Sequence, residues 1–234
     1  MWNGRLKALT FSFDDGVTQD ERAIAILNKY GLKATFNINS SYMGLSGSLE
    51  RNGRTVSHNK INPGDVKRIY EGHELAVHTL THPNLTGLDE ATITWQVSQD
   101  KAAIEALCGK KVYGMAYPCG GTNNDDRVAG IIEKNTDIRY ARTIESTYDF
   151  TLQTENLLRF NPTVYYIEEA KLFELGEKFV NLTPDKPSLL YVWGHTYEMD
   201  AEYISWERFE EFCKLVSGRD DIFYGTNAQV LLQR

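Results

Sequence analysis

Apolar runs of strand length alternate with helical patterns along most of the chain. Residues 6–13 form the first apolar run and predict a strand. Residues 19–30 place Ala23, Ile24, Ile26 and Leu27 at helical spacing ahead of Gly31. The alternation continues, with further strands predicted at residues 33–39, 74–78, 112–117, 138–141, 188–194 and 222–224, and further helices at residues 63–71, 89–107, 125–134, 168–181, 205–217 and from residue 227.

This order of elements is typical of an α/β protein with a parallel sheet. Seven or eight strands over 234 residues fit a single (β/α) barrel, in which functional residues lie at the C-terminal ends of the strands. An open, doubly wound sheet is the alternative. Because no linker or shift of composition divides the chain, we expect one domain over residues 1–234.

Residues 40–62 are too long for a plain connection and are rich in Ser, Gly and Asn. They follow the second predicted strand and therefore lie on the expected active face. Loops longer than about 12 to 15 residues are usually binding loops, lids or disordered segments. We expect a substrate-binding loop here, and a disordered loop is the alternative.

The composition excludes several classes of protein. The chain carries 25 Lys and Arg against 32 Asp and Glu, for a net charge of -7, and no cluster of basic residues. A nucleic-acid partner is therefore not expected, since phosphate binding requires a basic surface. A chain of this length can bury a sizeable core without a structural metal, so a metal bound here would be suspected of a chemical role.

The apolar runs are too short to cross a bilayer, which takes about 20 residues as a helix, so no membrane insertion is expected. Residues 1–5 lack the apolar region of a secretory signal, which favours a cytoplasmic location; a secreted or cell-envelope location would apply to a trimmed chain. Cys108, Cys119 and Cys213 are an odd set without a CxxC pair and are expected to be free thiols. The sequence leaves the oligomeric state open.

Two adjacent carboxylates, Asp14 and Asp15, stand where the first strand ends and Gly16 turns the chain. Adjacent strand residues point to opposite faces, but a turn at Gly16 can bring both carboxylates towards one pocket. One acid could then bind a metal while the other moves a proton. An Asp-Asp-Gly turn that caps a helix is the alternative.

Three of the five histidines fall within residues 72–83. His78 and His82 are four residues apart, the spacing at which two imidazoles lie one helical turn apart and share an ion. We expect a strand-to-loop turn that becomes briefly helical before Pro83. One carboxylate from another strand end would complete a three-ligand site with open positions, as in catalytic metal centres. Two surface histidines on a loop are the alternative.

Two further strand ends carry candidate chemistry. Tyr117-Pro118-Cys119 closes the fourth strand with a bend that can aim the backbone N–H of Cys119 at an oxyanion, although a plain turn is the alternative. His195 ends the strand at residues 188–194 and would share the barrel rim with the other candidates, where a proton donor is useful. Tyr117 and Trp193 are candidates for contact with a sugar ring, and core packing is their alternative role.

Together, and in this order, these stretches resemble the polysaccharide deacetylase family, also called the NodB homology domain or carbohydrate esterase family 4. The likeness runs from about residue 6 to His195 and on to residues 222–226, which are similar to the family's last strand. The pairing of Phe13-Asp14-Asp15-Gly16 with the HxxxHP motif at residues 78–83 is highly specific. The resemblance implies a distorted, NodB-like (β/α) barrel and a metal-dependent hydrolase that removes acetyl groups from a carbohydrate. N-acetyl groups are favoured over O-acetyl groups, and the sequence leaves this choice open.

The resemblance also implies a role for each matched residue. Asp14 matches the general base, His195 the general acid, and Cys119 the residue whose backbone N–H holds the oxyanion. The metal ligands it implies are Asp15, His78 and His82. Zinc is the expected ion, and cobalt or nickel would suit the same donors. The implied partner is an acetylated carbohydrate such as a GlcNAc-containing glycan, peptidoglycan or xylan.

Two positions depart from the family pattern. Many relatives carry an Arg ahead of the proline turn to orient the base, where this chain has Ala116, and we expect Arg142 at the end of the fifth strand to substitute. The family's Asp-Trp signature, whose Asp tunes the acid His, is not evident in residues 137–150.

Two other functions remain as alternatives. One is a metal-independent amidohydrolase of the allantoinase-like branch, against which the retention of all three ligand positions speaks. The other is a non-catalytic carbohydrate-binding module, in which loss of the base Asp14 would be expected.

Overall fold

The structure is a computed structural model that describes residues 1–232. Within them the strands are β1 (Lys7–Asp14), β2 (Ala34–Ile38), β3 (Ser48–Arg51), β4 (Arg54–Ser57), β5 (Glu74–Val77), β6 (Gly114–Ala116), β7 (Tyr140–Arg142), β8 (Val164–Tyr165), β9 (Ser188–Gly194) and β10 (Ile222–Tyr224). The α-helices are α1 (Asp20–Lys29), α2 (Val66–Ile69), α3 (Glu90–Cys108), α4 (Asp126–Asn135), α5 (Glu169–Asn181), α6 (Tyr197–Asp200), α7 (Trp206–Val216) and α8 (Asn227–Leu232).

Eight strands form one parallel sheet in the order β7-β6-β5-β2-β1-β9-β8, with β10 paired to the start of β1. The sheet curls, and the chain at residues 160–165 spans the gap between its two edges. Phe160 makes a parallel bridge to Arg142 on β7, and Val164 pairs with β9. The expected distorted (β/α) barrel is therefore confirmed, with an irregular segment on the side where a regular barrel would close.

The central strand β1 separates an apolar layer from a polar barrel interior. Phe11 and Phe13 point outwards and pack edge-on against Phe209 of α7. The intervening Thr10 donates to Asn227 Oδ1 at 2.8 Å, on the opposite face. Since side chains alternate along a strand, Asp14 continues this polar row and emerges at the C-terminal end of the barrel.

Residues 40–62 contain an antiparallel hairpin of β3 and β4, which the sequence does not predict. Val56 on β4 is 5% exposed and packs in a small apolar cluster with Val17, Tyr197 and Ala201. The segment is thus folded against the barrel rim rather than disordered.

Other element bounds differ from the prediction. The helix expected at residues 63–71 is a single α-helical turn, α2, preceded by a 3₁₀ turn at Pro63–Asp65. The short elements β8 and α6 are not predicted, because two- and four-residue segments carry too little periodicity. Among residues 1–232, no helix combines the length and apolar character needed to cross a bilayer.

Candidate active site

A cavity of about 600 Å³ opens at the C-terminal ends of the barrel strands. Its walls include most of the residues singled out from the sequence: Asp14, Asp15, His78, His82, Tyr117, Cys119, Trp193 and His195. Arg142 is fully buried and lies behind this wall, against Asp14. The structure therefore brings all the candidate site residues to one place.

The turn after β1 directs both adjacent aspartates into this cavity. Asp14 is the last residue of β1, and Asp15 follows with a φ of 83°, in the left-handed region. Gly16 has a φ of 62°, and a Cβ there would lie 2.7 Å from Ile38 Cγ2, so the close approach of β2 requires glycine. The reversal at Asp15 and Gly16 explains why two sequential side chains line one cavity.

Asp15, His78 and His82 form a cluster of metal-ligand type. One donor atom from each lies within 4.8 Å of the others, and this is the one such group of three or more His, Cys, Asp or Glu residues within residues 1–232. Asp15 Oδ1 lies 3.9 Å from His78 Nε2 and 3.6 Å from His82 Nε2. Two imidazole nitrogens and one carboxylate oxygen suit zinc, cobalt or nickel, so these residues fit a divalent metal.

The protonation of the two imidazoles also suits metal binding. Burial lowers the pKa of His78 to about 4 and lowers that of His82, so both rings are neutral near pH 7. His78 Nδ1 lies 2.9 Å from the carbonyl oxygen of Ala116. A carbonyl only accepts, so Nδ1 carries the proton and Nε2 presents its lone pair to the cavity.

The two histidines meet through an irregular loop, so the expectation of a brief helical turn between them is wrong. Thr79 and His82 have φ values of 66° and 55°, which wind the loop tightly and place the two rings 4.9 Å apart. Asn39 donates to the carbonyls of His78 and Thr79, and Gln96 on α3 accepts from Thr81 N at 3.0 Å. Hydrogen bonds with Asn39 and Gln96, rather than hydrogen bonds within a helical turn, therefore fix the conformation of this loop.

Asp14 is paired with a buried arginine. Arg142 donates to Asp14 Oδ2, and Asn37 donates to Oδ1 at 2.8 Å. Burial alone would raise the pKa of Asp14, but Arg142, followed by His78 and His195, holds it below its usual value. Ala116 and Arg142 are register partners on β6 and β7, so Arg142 lies on the strand beside the position at which the resemblance leads us to expect an arginine.

Arg142 in turn packs on Trp193. Its guanidinium lies 4.3 Å from the indole centroid, and Tyr165 stacks on the same ring at 4.1 Å. Trp193 is only 5% exposed and presents little of its face to the cavity. Tyr117 is 1% exposed and donates to Leu158 O at 2.7 Å. Both aromatic residues line the cavity, but their rings are mostly engaged by protein.

His195 has a carboxylate partner that the sequence analysis missed. Glu198 on α6 is 4% exposed, and its Oε1 lies 3.1 Å from His195 Nδ1. Burial would lower the pKa of His195, but Glu198, followed by Asp15 and Asp14, raises it to about 9. His195 Nε2 faces Asp14 Oδ2 at 3.9 Å. The carboxylate of Glu198 therefore favours the protonated form of His195 near neutral pH.

Cys119 lies at the bend after β6 with a φ of 70°. Its thiol is 3.8 Å from His82 Nδ1 and donates to His82 O at 3.6 Å. Burial raises the pKa of this thiol, so it stays protonated and is a poor nucleophile.

Two further residues missed from the sequence, His58 and Lys60, reach the site from the segment that follows β4. His58 Nε2 lies 3.2 Å from Asp15 Oδ2, and Lys60 Nζ lies 3.7 Å from Asp15 Oδ1. Burial would raise the pKa of Asp15, but His58 and Lys60 hold it well below its usual value. Asp15 is thus ionised and surrounded by nitrogen groups.

Comparisons with known proteins bear on this arrangement. A family model described as polysaccharide deacetylase matches residues 3–136. A chitin deacetylase from a Pestalotiopsis species is 31% identical over 113 residues, which are 48% of this chain and 34% of that protein. A chitooligosaccharide deacetylase from Rhizobium leguminosarum bv. trifolii is 35% identical over 69 residues, which are 29% of this chain and 32% of that protein. The chain thus spans about a third of the length of these curated relatives.

Solved structures share the fold. A pseudoenzyme of carbohydrate esterase family 4 from Bacillus anthracis aligns with 96% of this chain and 65% of its own, at 19% identity and a TM-score of 0.59. A family 4 carbohydrate esterase from Streptomyces lividans, in complex with acetate, aligns with 95% of this chain and 92% of its own, at 15% identity and a TM-score of 0.57. At these identities the likeness concerns the fold alone.

Proposed function

Since this chain belongs to the polysaccharide deacetylase family, we propose that it is a divalent-metal-dependent hydrolase that removes acetyl groups from a carbohydrate. The proposed group is N-acetyl rather than O-acetyl, because the curated relatives are chitin and chitooligosaccharide deacetylases. A GlcNAc-containing glycan such as a chitin oligomer or peptidoglycan is the proposed substrate, and acetylated xylan is the O-acetyl counterpart.

One observation carries this proposal: the cluster of metal-ligand type shares one cavity with a second carboxylate, Asp14, and with His195. Asp14 Oδ2 lies 3.9 Å from Nε2 of His78, which belongs to the cluster, and 3.9 Å from Nε2 of His195. A base and an acid that flank a Lewis-acid site are the parts that hydrolysis of an amide or ester requires.

Asp15, His78 and His82 would hold the ion, proposed as zinc, with cobalt or nickel as substitutes. When bound, the ion supplies Lewis-acid polarisation of the acetyl carbonyl and lowers the pKa of water. Asp14, ionised and oriented by Arg142 and Asn37, takes the proton from the attacking water.

Two further groups of this chain serve the later part of the reaction. The backbone N–H of Cys119 donates to the oxygen on which negative charge develops, an interaction typically worth about 3 to 4 kcal/mol. His195 then gives its proton to the departing amine, and Glu198 keeps the ring oriented and charged for that step.

A second candidate is a metal-independent amidohydrolase acting on a cyclic ureide. The contact of Lys60 with Asp15 favours it, because an ammonium supplies a counter-charge to this carboxylate without a metal. A non-catalytic binding module is the remaining alternative, and the presence of Asp14 in the cavity speaks against it.

Acetate release from a panel of N- and O-acetylated glycans, with and without a chelator, tests the proposal. We expect release from an N-acetylated glycan, loss of release after chelation, and recovery when zinc, cobalt or nickel is restored. If the protein hydrolyses a cyclic ureide and this activity persists in the presence of the chelator, the result would favour the second candidate instead. Absence of turnover on every substrate in the metal-loaded state would contradict both.

A further inference from the structure

The ammonium of Lys60 contacts the same carboxylate oxygen as the two imidazoles of the metal-ligand cluster. Lys60 Nζ lies 3.7 Å from Asp15 Oδ1. The same oxygen is 3.6 Å from His82 Nε2 and 3.9 Å from His78 Nε2. A lysine cation therefore stands as close to this oxygen as the nitrogen ligands do.

Lys60 is held in this position from both ends. Its backbone makes an antiparallel bridge to Val17, just beyond the Asp15 turn. Its ammonium donates to the carbonyl oxygen of Asp15 at 2.7 Å, and the residue is only 8% exposed. This lysine is thus a fixed part of the cavity wall, unlike a surface lysine that samples many rotamers.

The Asp15 turn needs such support. Asp15 adopts a φ of 83°, a conformation that costs a non-glycine residue free energy. The residue is 7% exposed, and a buried carboxylate without a counter-charge is strongly disfavoured. Lys60 stabilises both features of the turn, because its ammonium donates to the backbone carbonyl of Asp15 and faces the buried carboxylate of the same residue.

We infer that Lys60 is a built-in counter-ion of Asp15 that preserves the site without metal and lowers its affinity for a divalent cation. This inference rests on the proposed function, which places a metal on Asp15. The reason is electrostatic: a fixed positive charge beside a ligand oxygen repels a second cation that binds the same oxygen. Lys60 would then be a positioning residue that sets how readily the metal is lost.

The test is titration of the metal-free full chain with zinc chloride alone, by calorimetry, for the wild type and Lys60 variants. Lys60→Met removes the charge and the donor, and Lys60→Gln removes the charge but keeps a donor. We expect both to bind zinc about tenfold more tightly than the wild type or more, and Lys60→Arg to bind like the wild type. Lys29→Met, which removes an exposed lysine paired with Glu210, is the matched control and should leave the affinity unchanged.

A second readout is the melting temperature without metal. It should fall in Lys60→Met and stay near the wild-type value in Lys60→Arg. Zinc binding to the neutral variants alone, and not to the wild type, would also support the inference. Equal or weaker zinc affinity in whichever neutral variant folds would overturn it while leaving the metal site intact. No zinc binding to the wild type or any variant would reject the metal site itself, and this inference with it.

Discussion

Nδ1 of His195 lies 3.1 Å from Oε1 of Glu198, three residues further along the chain. The other carboxylate oxygen accepts the backbone N–H of His195 at 2.9 Å, so one buried side chain fixes both the ring and the strand end that carries it. Tyr165 donates its hydroxyl to Glu198 as well. Glu198 thus supplies a carboxylate partner to His195, the proposed general acid, although the family's Asp-Trp signature is not evident in residues 137–150.

Replacing Glu198 should move the alkaline limb of the pH profile. A general acid must be protonated, and the pKa of His195, raised to about 9, keeps it so through neutral pH. Glu198→Gln removes the charge that raises this pKa, so the alkaline limb of kcat/KM should shift to lower pH, with about a tenfold or greater loss at pH 8. Glu202→Gln, an exposed acid close in sequence, is the control. An unchanged alkaline limb in Glu198→Gln would remove Glu198 from this role.

Arg142 should govern the acidic limb of the same profile. Asp14 acts as a base only when ionised, and Arg142 is the largest influence that opposes the effect of burial on its pKa, so removal of Arg142 should raise that pKa. In Arg142→Met the acidic limb should therefore move to higher pH. Loss of one partner of a buried ion pair should also lower the free energy of unfolding by about 3 to 5 kcal/mol.

Arg142→Lys retains the charge and should shift the acidic limb less. Arg139→Met, which removes an exposed arginine that stacks on Tyr113 near the start of β7, controls for the change in net charge. If the acidic limb of Arg142→Met coincides with that of the wild type, Arg142 does not control the pKa of the catalytic base and the proposed role of the Asp14–Arg142 pair is wrong.

Trp193 should act through Arg142 rather than through the sugar. Its ring contacts the Arg142 guanidinium and Tyr165 and is 5% exposed. Trp193→Phe should therefore lower kcat and leave KM nearly unchanged, because the smaller ring supports the guanidinium less well. A raised KM at unchanged kcat would show instead that the indole binds the substrate.

The turn that orients Asp15 should be sensitive to a single methyl group. Gly16 and Gly31 both have positive φ, but only at Gly16 would a Cβ meet a neighbour, at 2.7 Å from Ile38 Cγ2. Gly31→Ala should cost about 1 kcal/mol of unfolding free energy through backbone conformation alone. Gly16→Ala should cost at least about 2 kcal/mol and weaken metal binding. Equal losses of unfolding free energy in the two variants, measured by urea denaturation, would contradict the conclusion that the close approach of Ile38 requires glycine at position 16.

The sequence predicts those parts of the site that are local in the chain. Asp14 and Asp15 stand at the end of a long buried strand, and His78 and His82 lie within five residues of each other. Glu198 is missed because an acid three residues after a histidine is common and carries no distinctive signal. Lys60 is missed because its place depends on a non-local bridge to Val17.

The fold shows the same difference between elements with a local sequence pattern and elements that depend on non-local pairing. The long strands β1 and β9 are predicted nearly to their ends, because each is long enough and rich enough in β-forming apolar residues to show a strand pattern of its own. The two-residue strand β8 exists through its pairing with β9 and has no pattern of its own. The β3–β4 hairpin is hidden by the Ser, Gly and Asn residues around it, and its position depends on the packing of Val56.

Zinc binding and acetate release by Asp14→Asn and Asp15→Asn, two isosteric changes at adjacent residues, test the central claim most directly. Asp14→Asn should bind one zinc ion like the wild type and lose at least about a hundredfold in acetate release. Asp15→Asn should lose at least about a hundredfold in zinc affinity. Loss of zinc from Asp14→Asn, or wild-type zinc affinity in Asp15→Asn, would contradict the assignment of Asp14 as the base and Asp15 as a metal ligand.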